Sequence, residues 1–296
     1  MAHAAAARQR RWARLLAFAA GTWLVTAMAA AAETLEQRAE RLAAHFEVTL
    51  PAGAAPFPVV VMLHGCGGRR PFMQEMAHVA AKAGAAVINV DSFAPRGISR
   101  TAAIATVCTG MRLHGRERAG DLYAALAWAR TQTWADAERF GVIGWSHGGW
   151  TILDALALRT GPEMERATRL QALPPEPLQG LAATLIVYPY AGVGSLVGRR
   201  PWRVAPASTA IVAERDFIVG DVRVPLERQR RHGAPLDVLV FHGATHAFED
   251  AHAEDPRVRF NPRATEREHG LIRAMVEALK KGRDAAAPAT SQHLGG

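Results

Sequence analysis

The chain has 296 residues, a hydrophobic fraction of 49% and a formal net charge of +8 at pH 7. This length and composition are typical of one packed globular domain rather than two small ones. The basic residues form small clusters without interleaved aromatic side chains or a nucleic-acid-binding motif, so the charge does not indicate a nucleic-acid partner.

The N-terminal segment, residues 1–32, has the pattern of a secretory signal peptide. Four arginines precede an apolar run at residues 15–28 and a stretch of small residues at 27–32. We predict cleavage between Ala29 and Glu33, export to a bacterial periplasm or the medium, and no membrane association afterwards. The alternative is an N-terminal membrane anchor, but the run is shorter than the ~20 residues that span a bilayer. Removing the segment lowers the net charge to +4, because it contains no acidic residue.

Beyond this segment, apolar runs alternate with helical patterns, which is typical of an α/β fold. The β-branched run at residues 58–63 suits a strand buried on both faces. Further strands are predicted at residues 85–90, 140–144, 181–187, 209–213 and 236–241, with His45 to Leu50 as a candidate first strand. Helices are predicted from Phe72 to a stop at Gly84, at 118–131, 149–158 and 224–231, and around Leu271 to Leu279.

Three segments have no pattern that predicts a helix or a strand. Residues 91–115 form a polar connection that is too long for a minimal loop, so we expect it to shape a site. Residues 161–180 contain four prolines and predict a small surface insertion that could form part of a lid. Residues from about 283 onward are rich in Ala, Pro, Ser and Gly and are expected to be disordered.

The pentapeptide from Gly144 to Gly148 matches the G-x-S-x-G nucleophile elbow, with Ser146 at its centre. It follows a predicted strand and precedes an apolar helix, as that motif requires. Because a serine hydroxyl is a weak nucleophile at its own pKa, the chain must also supply a general base and an oxyanion site.

In parallel α/β sheets, ligands bind at the carboxyl ends of the strands. Four chemically suitable positions follow predicted strands: the His64 to Gly68 turn, Ser146, Asp216 and His246. The order Ser, Asp, His is the chain order of an α/β-hydrolase triad. We therefore predict Ser146 as nucleophile, His246 as general base and Asp216 as the residue that orients it.

The predicted oxyanion donors are backbone N–H groups. That of His147, the first residue after the nucleophile, is one donor, and that of Cys66 or Gly67 is the second. His64 is interpreted as structural, holding its loop by hydrogen bonds rather than acting as a second base.

Each triad position has a rival. Asp221 follows the same strand as Asp216, which is nearer to the strand end. His242 abuts the strand that precedes His246, whereas His246 follows a Gly-Ala-Thr loop that can return an imidazole to the elbow. Together the two histidines would make a poor metal site, because Gly243 disrupts helical spacing and no third ligand cluster is apparent.

Only two cysteines, Cys66 and Cys108, are present. An exported protein folds where thiols oxidise, so a disulfide between them is predicted. The alternative is two separate buried thiols.

The chain resembles the dienelactone hydrolase family of α/β-hydrolases, especially exported members with a serine nucleophile. The resemblance covers about residues 45–280 and rests on VVVMLHGCGG, DSFAPRG, GVIGWSHGG, AERDF and HGATHAFED. It implies a three-layer α/β-hydrolase fold over residues 33–282, with about eight mostly parallel strands and helices on both faces. Better-known members have a cysteine where this chain has Ser146.

For the site, the resemblance suggests that Arg96 contacts a substrate carboxylate, with an ordinary salt bridge as the alternative. Tyr188 is a candidate for lining an apolar pocket, as are Trp145, Trp150 and Tyr190, although packing in the core is the preferred interpretation for the two tryptophans.

The sequence thus predicts a serine hydrolase that needs no cofactor or metal. It would cleave a small ester or lactone through an acyl-enzyme intermediate, as a monomer or small homo-oligomer. The alternatives are a peptidase or acyl-peptide hydrolase on the same fold, and a non-catalytic homologue that binds a small ligand.

Overall fold

The computed structural model describes residues 33–286. The predicted signal peptide lies outside the described residues. So does the predicted tail, apart from residues 283–286, which continue the last helix.

Seven strands form one mostly parallel sheet. In chain order they are β1 (Phe46–Thr49), β2 (Phe57–Leu63), β3 (Ala86–Val90), β4 (Ala135–Trp145), β5 (Leu181–Val187), β6 (Ala207–Ala213) and β7 (Leu236–Phe241). Their spatial order is β1-β3-β2-β4-β5-β6-β7, and only β1 runs antiparallel to its neighbour. The sheet therefore has one strand fewer than the eight that the family resemblance implies. Two-residue strands at Glu33–Thr34 and Leu170–Gln171 are separate from it.

The helices of the described residues cover both faces of this sheet. They are α1 (Leu35–Ala43), α2 (Pro71–Ala83), α3 (Arg100–Thr106), α4 (Gly115–Arg130), α5 (His147–Ala157), α6 (Pro162–Thr168), α7 (Arg223–Arg231) and α8 (Pro262–Ala286), with a 3₁₀ turn at Ala94–Arg96. None of them combines the length and apolarity that crossing a membrane requires.

The core lies in two layers, one on each face of the sheet. Alternate residues of β2 point to opposite sides, as strand geometry requires. Val59, Val61 and Leu63 pack with α1, α4 and α5, whereas Val60 and Met62 pack with α2 and α8. A central strand buried on both faces explains why this segment contains no polar alternation.

The two long connections contain helices that the sequence pattern does not reveal. Residues 91–115 hold the 3₁₀ turn and α3, and residues 161–180 hold α6. Each helix has only seven residues or fewer, too short to show a clear helical periodicity.

Candidate active site

Ser146 occupies a sharp turn between the end of β4 and the start of α5. Its backbone has φ 53° and ψ −109°, in a region that residues with a side chain rarely adopt. The turn is held by hydrogen bonds, because Ser146 N donates to Val187 O at 2.9 Å and Ser146 O accepts from Trp150 N at 3.0 Å. The hydroxyl is thereby placed at the carboxyl edge of the sheet.

Two glycines make this turn possible. A Cβ at Gly144 would lie 2.5 Å from backbone atoms of Gly148. A Cβ at Gly148 would lie only 2.0 Å from Leu63 O. Because neither position has room for a side chain, the G-x-S-x-G spacing is a steric requirement of packing α5 against β2 and β4.

The structure brings Ser146, His246 and Asp216 together. His246 Nε2 lies 2.9 Å from Ser146 Oγ, and His246 Nδ1 lies 2.6 Å from Asp216 Oδ2. In the neutral imidazole, Nδ1–H donates to the carboxylate and Nε2 accepts from the hydroxyl. All three side chains are largely buried. This is the geometry that an activated nucleophile requires.

Asp216 is held in place from its other side. Its Oδ1 accepts hydrogen bonds from Ile218 N at 2.9 Å and Val219 N at 3.1 Å. The rival residues lie elsewhere: Asp221 pairs with Arg223, and the exposed His242 pairs with Glu214. Neither rival contacts the elbow.

The loop after β2 lies directly against the nucleophile. A Cβ built on Gly65 would be 3.5 Å from Ser146 Cβ. Cys66 and His147 face the same pocket, and no hydrogen bond from either backbone N–H is made to another backbone group within residues 33–286. Both N–H groups therefore remain candidate oxyanion donors.

A disulfide joins Cys66 to Cys108. It connects the loop that carries the candidate oxyanion donor to the segment after α3, 42 residues further along the chain. Both cysteines line the pocket. The bond thus links two walls of the pocket, the β2 loop and the segment after α3.

A pocket of about 350 Å³ opens above Ser146 and His246. Its walls come from the β2 loop, α3 and the segment after it, Tyr188 and Tyr190, and the chain from His246 to Val258. Apolar side chains that line it are Phe72, Ile104, Val107, Trp150, Ile218 and Val258. A larger groove of about 870 Å³, between α7, α8 and strands β5 to β7, contains none of the predicted site residues.

The prediction that residues 161–180 form part of a lid is wrong, because no residue of that segment lines the pocket. The segment follows the carboxyl end of α5, whereas the site lies at the amino end. Eleven helical residues separate the two by about 16 Å. The segment packs instead against α4.

Arg96 does not line the pocket either. Its guanidinium binds both carboxylate oxygens of Asp121, at 2.8 and 2.9 Å, and donates to Ser92 O at 2.7 Å. For Arg96, the salt-bridge alternative is therefore confirmed. The substrate contact that the resemblance suggests is wrong. The reason is that the buried carboxylate of Asp121 needs cationic partners, and the 3₁₀ turn directs Arg96 towards it.

Tyr188 lines the pocket with its ring, whose centroid lies 4.6 Å from that of His246. Its hydroxyl is turned away and donates to Glu249 Oε1 at 2.5 Å. Glu249 is buried beside Glu268, which accepts a hydrogen bond from Trp145 Nε1 at 2.8 Å. Burial raises the pKa of Glu249, and burial together with Glu249 raises that of Glu268. We therefore expect the two carboxyl groups to share a proton behind the Tyr188 ring.

We expect Glu249→Gln to reduce the loss of thermal stability at alkaline pH. The folded pKa of Glu249 is raised from 4.5 to about 8, so the folded state binds the proton more tightly than the unfolded state. The contribution of Glu249 to the free energy of unfolding is fully present below pH 4.5 and is lost as the pH rises through about 8. Gln keeps an acceptor for Tyr188 and does not ionise.

The measurement is the midpoint of thermal unfolding at pH values below and above this window. The midpoint should fall less for Glu249→Gln than for the wild type. Glu277→Gln, an exposed substitution on α8, is the control and should keep the wild-type dependence. An identical pH dependence in Glu249→Gln and wild type would contradict the shared proton.

Sequence reasoning missed three residues near the site: Arg118, Glu249 and Glu268. Glu249 lies within the quoted motif HGATHAFED, but nothing in the pattern shows that its side chain is buried. Arg118 is at the start of a predicted helix, where a cation is normally exposed. Only packing reveals these positions. Within residues 33–286, no group of three His, Cys, Asp or Glu side chains could hold a metal ion.

Solved structures of low sequence identity share this fold. A dienelactone hydrolase from Anabaena variabilis is 19% identical, with a TM-score of 0.52 over 79% of this chain and 90% of that chain. A hyperthermophilic esterase from Pyrobaculum calidifontis is 16% identical, with a TM-score of 0.52 over 79% and 81%. A dienelactone hydrolase-like promiscuous phosphotriesterase from metagenomic libraries is 22% identical, with a TM-score of 0.55 over 79% and 92%. No curated protein sequence matches the chain.

The mostly parallel sheet, with helices on both faces and a serine in a strand-to-helix elbow, defines an α/β-hydrolase. The sequence narrows this class further, since the model of the dienelactone hydrolase family matches residues 46–281. The chain belongs to the dienelactone hydrolase family and is a hydrolase that acts on ester bonds.

Proposed function

We propose that the protein is a serine hydrolase that cleaves a small carboxylic ester or lactone through an acyl-enzyme intermediate. The observation that carries this proposal is the 2.9 Å contact between Ser146 Oγ and His246 Nε2 on the floor of the pocket. Asp216 on the opposite ring nitrogen completes a candidate catalytic triad.

In the first half of the proposed reaction, Ser146 Oγ attacks the carbonyl carbon of the substrate while its proton passes to His246 Nε2. Asp216 stabilises the imidazolium that forms. The carbonyl oxygen becomes an oxyanion, which accepts hydrogen bonds from the N–H groups of Cys66 and His147. When the tetrahedral intermediate collapses, the C–O bond breaks and the leaving alkoxide takes the proton from His246.

The second half releases the acyl group from Ser146. A water molecule gives a proton to His246 Nε2 as its oxygen attacks the acyl carbon, and the same oxyanion donors bind the new intermediate. Collapse returns the proton to Ser146 Oγ and releases a carboxylic acid. With a lactone, the alcohol remains attached to the acyl group, so the product is a hydroxy acid.

The dimensions of the pocket favour a small substrate with an apolar part. About 350 Å³ lies at the lower end of the range for small-molecule sites. Phe72, Val107 and Trp150 form apolar walls near the elbow. Charged side chains at the pocket pair with one another, as Arg70 does with Asp250 and Arg257 with Asp255. Burying an acyl chain against these walls would contribute about 25 cal/mol per Å² of apolar surface.

The test uses a fluorophosphonate probe and matched pairs of substrates. We expect the probe to label Ser146, identified by mass spectrometry of the digested protein, because only an activated serine reacts quickly. We also expect hydrolysis of short-chain aryl esters to exceed that of aryl amides with the same acyl group. Preferential amide cleavage would favour a peptidase, and a wild-type protein that neither reacts with the probe nor cleaves esters would overturn the proposal.

A further inference from the structure

Arg118 is a fully buried cation beneath the candidate oxyanion site. Its side chain extends from the first turn of α4 and has no exposed surface. Nε donates to Ser92 Oγ at 2.8 Å, and Nη1 donates to His64 O at 2.6 Å. The same Nη1 also lies 3.2 Å from Nδ1 of His147. The guanidinium thus contacts the β2 loop and the start of α5 at once.

Among residues 33–286, no carboxylate is in direct contact with this cation. Asp121, one turn along α4, is occupied by Arg96 and Arg38, which lie 2.8 and 2.9 Å from its Oδ1. Nη2 of Arg118 has no hydrogen-bond partner among the described residues. Burial lowers the pKa of Arg118 to about 10, so the group remains charged at neutral pH. A buried charge without a carboxylate in contact normally destabilises a fold, and the more distant charges of Asp121 and Asp91 do not offset the burial of Arg118. This cost indicates another role for the residue.

The direction of the Cys66 N–H is set by the peptide group that precedes it. The Gly65 carbonyl accepts hydrogen bonds from His64 Nδ1 at 2.7 Å and from Gly68 N at 3.2 Å. In a trans peptide the next N–H points the opposite way, so these bonds set the direction of the Cys66 N–H. His64 can donate from Nδ1 because its Nε2 accepts from Ser92 N at 3.2 Å.

Arg118 helps to hold His64 in this state. It binds the His64 carbonyl, and burial together with the charge of Arg118 lowers the pKa of the His64 imidazole well below its usual value. The ring is therefore neutral, with one nitrogen that donates and one that accepts. A protonated ring would lose the contact with Ser92 N, because it would have no acceptor.

Arg118 also holds the side chain of His147. Its Nδ1 accepts from Arg118, so its Nε2–H donates to Leu113 O, which lies 2.8 Å away. Burial and the charge of Arg118 lower the pKa of His147 to about 3. The side chain is fixed at both nitrogens, and the backbone N–H of the same residue is the other candidate oxyanion donor.

We propose that Arg118 is the positioning residue of the oxyanion site. A single guanidinium nitrogen joins His64, which orients the Cys66 N–H, to His147, which carries the second donor. Its positive charge also lies behind both donors, where it would favour a developing negative charge on the substrate oxygen. The inference rests on the proposed serine-hydrolase function and assigns no direct substrate contact to Arg118.

Because an oxyanion exists only in the transition state and the intermediates, loss of Arg118 should reduce kcat and leave KM nearly unchanged. We expect Arg118→Met to lower kcat for a short-chain aryl ester about 30- to 100-fold, somewhat less than removal of a whole oxyanion donor. Arg118→Lys keeps the charge but not the planar fork, so its loss should be smaller, about 3- to 10-fold.

The experiment measures kcat and KM of both variants, and their inhibition constants for a trifluoromethyl ketone whose hemiketal carries an oxyanion. Inhibitor affinity should fall by the same factor as kcat/KM. Arg139→Gln is the matched control: Arg139 is also a buried arginine, but it pairs with Asp136 and lies in the first half of β4, away from the elbow. It should retain wild-type kcat and inhibitor affinity.

A folded Arg118→Met variant with kcat and inhibitor affinity within twofold of wild type would overturn the inference. If Arg118→Met fails to fold, Arg118→Lys tests the inference instead. Unchanged inhibitor affinity in a folded Arg118→Lys variant would then overturn it. The fluorophosphonate test separates the two proposals. When wild type fails to label at Ser146, the proposed function fails; when wild type labels and the folded Arg118 variants label equally fast, only the role of Arg118 fails.

Discussion

Replacing Ser146 with alanine is expected to lower kcat for short-chain aryl esters about 10⁶-fold, the magnitude seen when a serine hydrolase loses its nucleophile. The proposed acyl-enzyme forms only at Ser146 Oγ, which is the hydroxyl in contact with His246. Without it, the remaining oxyanion donors can assist only a slow attack by water. The fold should persist, because the hydrogen bonds that hold the elbow use backbone atoms of residue 146.

The measurement is steady-state ester hydrolysis, with circular dichroism to show that the variant is folded. Ser208→Ala provides the control. Ser208 is another buried serine, hydrogen-bonded to Thr184 on the neighbouring strand and outside the pocket. It should retain wild-type turnover. Substantial ester hydrolysis by a folded Ser146→Ala variant would rule out the nucleophile assigned here.

The second large effect is expected at His246 and Asp216. We expect His246→Ala to approach the loss seen for Ser146→Ala, because the triad acts as a unit. Asp216→Asn should lower kcat about 10⁴-fold, since an amide favours the wrong imidazole tautomer and cannot stabilise the imidazolium. Turnover of the same aryl esters measures both effects.

The sequence rivals provide matched controls for these two substitutions. His242→Ala and Asp221→Asn change the same residue types on the same two connections. Their side chains are exposed and pair with Glu214 and Arg223 rather than with the elbow. Both variants should keep turnover within about twofold of wild type, the scale of a surface substitution. If Asp221→Asn lost more activity than Asp216→Asn, the acid of the triad would have to be reassigned.

Much of the fold was predictable from local patterns. The run at residues 58–63 is buried on both faces of the sheet, and β-branched residues recur in such strands. The elbow was also predictable, because contact with neighbouring backbone excludes a Cβ at Gly144 and Gly148. The candidate triad followed from its chain order and from the rule that sites lie at the carboxyl ends of parallel strands.

The surroundings of the triad were less predictable. Helix α3 and the segment that follows it shape the pocket, as predicted for the long polar connection at residues 91–115, but the sequence did not predict a helix there. The segment 161–180 was expected to cover the site but lies at the far end of α5. The chain from His246 to Val258 forms much of the pocket wall instead. Short irregular segments have no periodic pattern that reports where they fold.

The sequence also does not predict how Arg96 and Arg118 pair with other groups. Both are arginines near the site, and their sequence context does not distinguish them. Asp121 attracts Arg96, whereas Arg118 is left among carbonyl, hydroxyl and imidazole acceptors. Which cation pairs with a buried carboxylate depends on distances of a few ångströms between residues far apart in the chain.

The sequence by itself predicted the α/β class, the elbow, and Ser146, Asp216 and His246 as a candidate triad. These features depend on local sterics and on the period of apolar residues, which neighbouring positions encode. The tertiary structure alone decided the pocket walls, the burial of Glu249 beside Glu268, and the place of Arg118 against the candidate oxyanion site. Desolvation and pairing energies depend on burial and on non-local distances, and these exist only after the chain has folded.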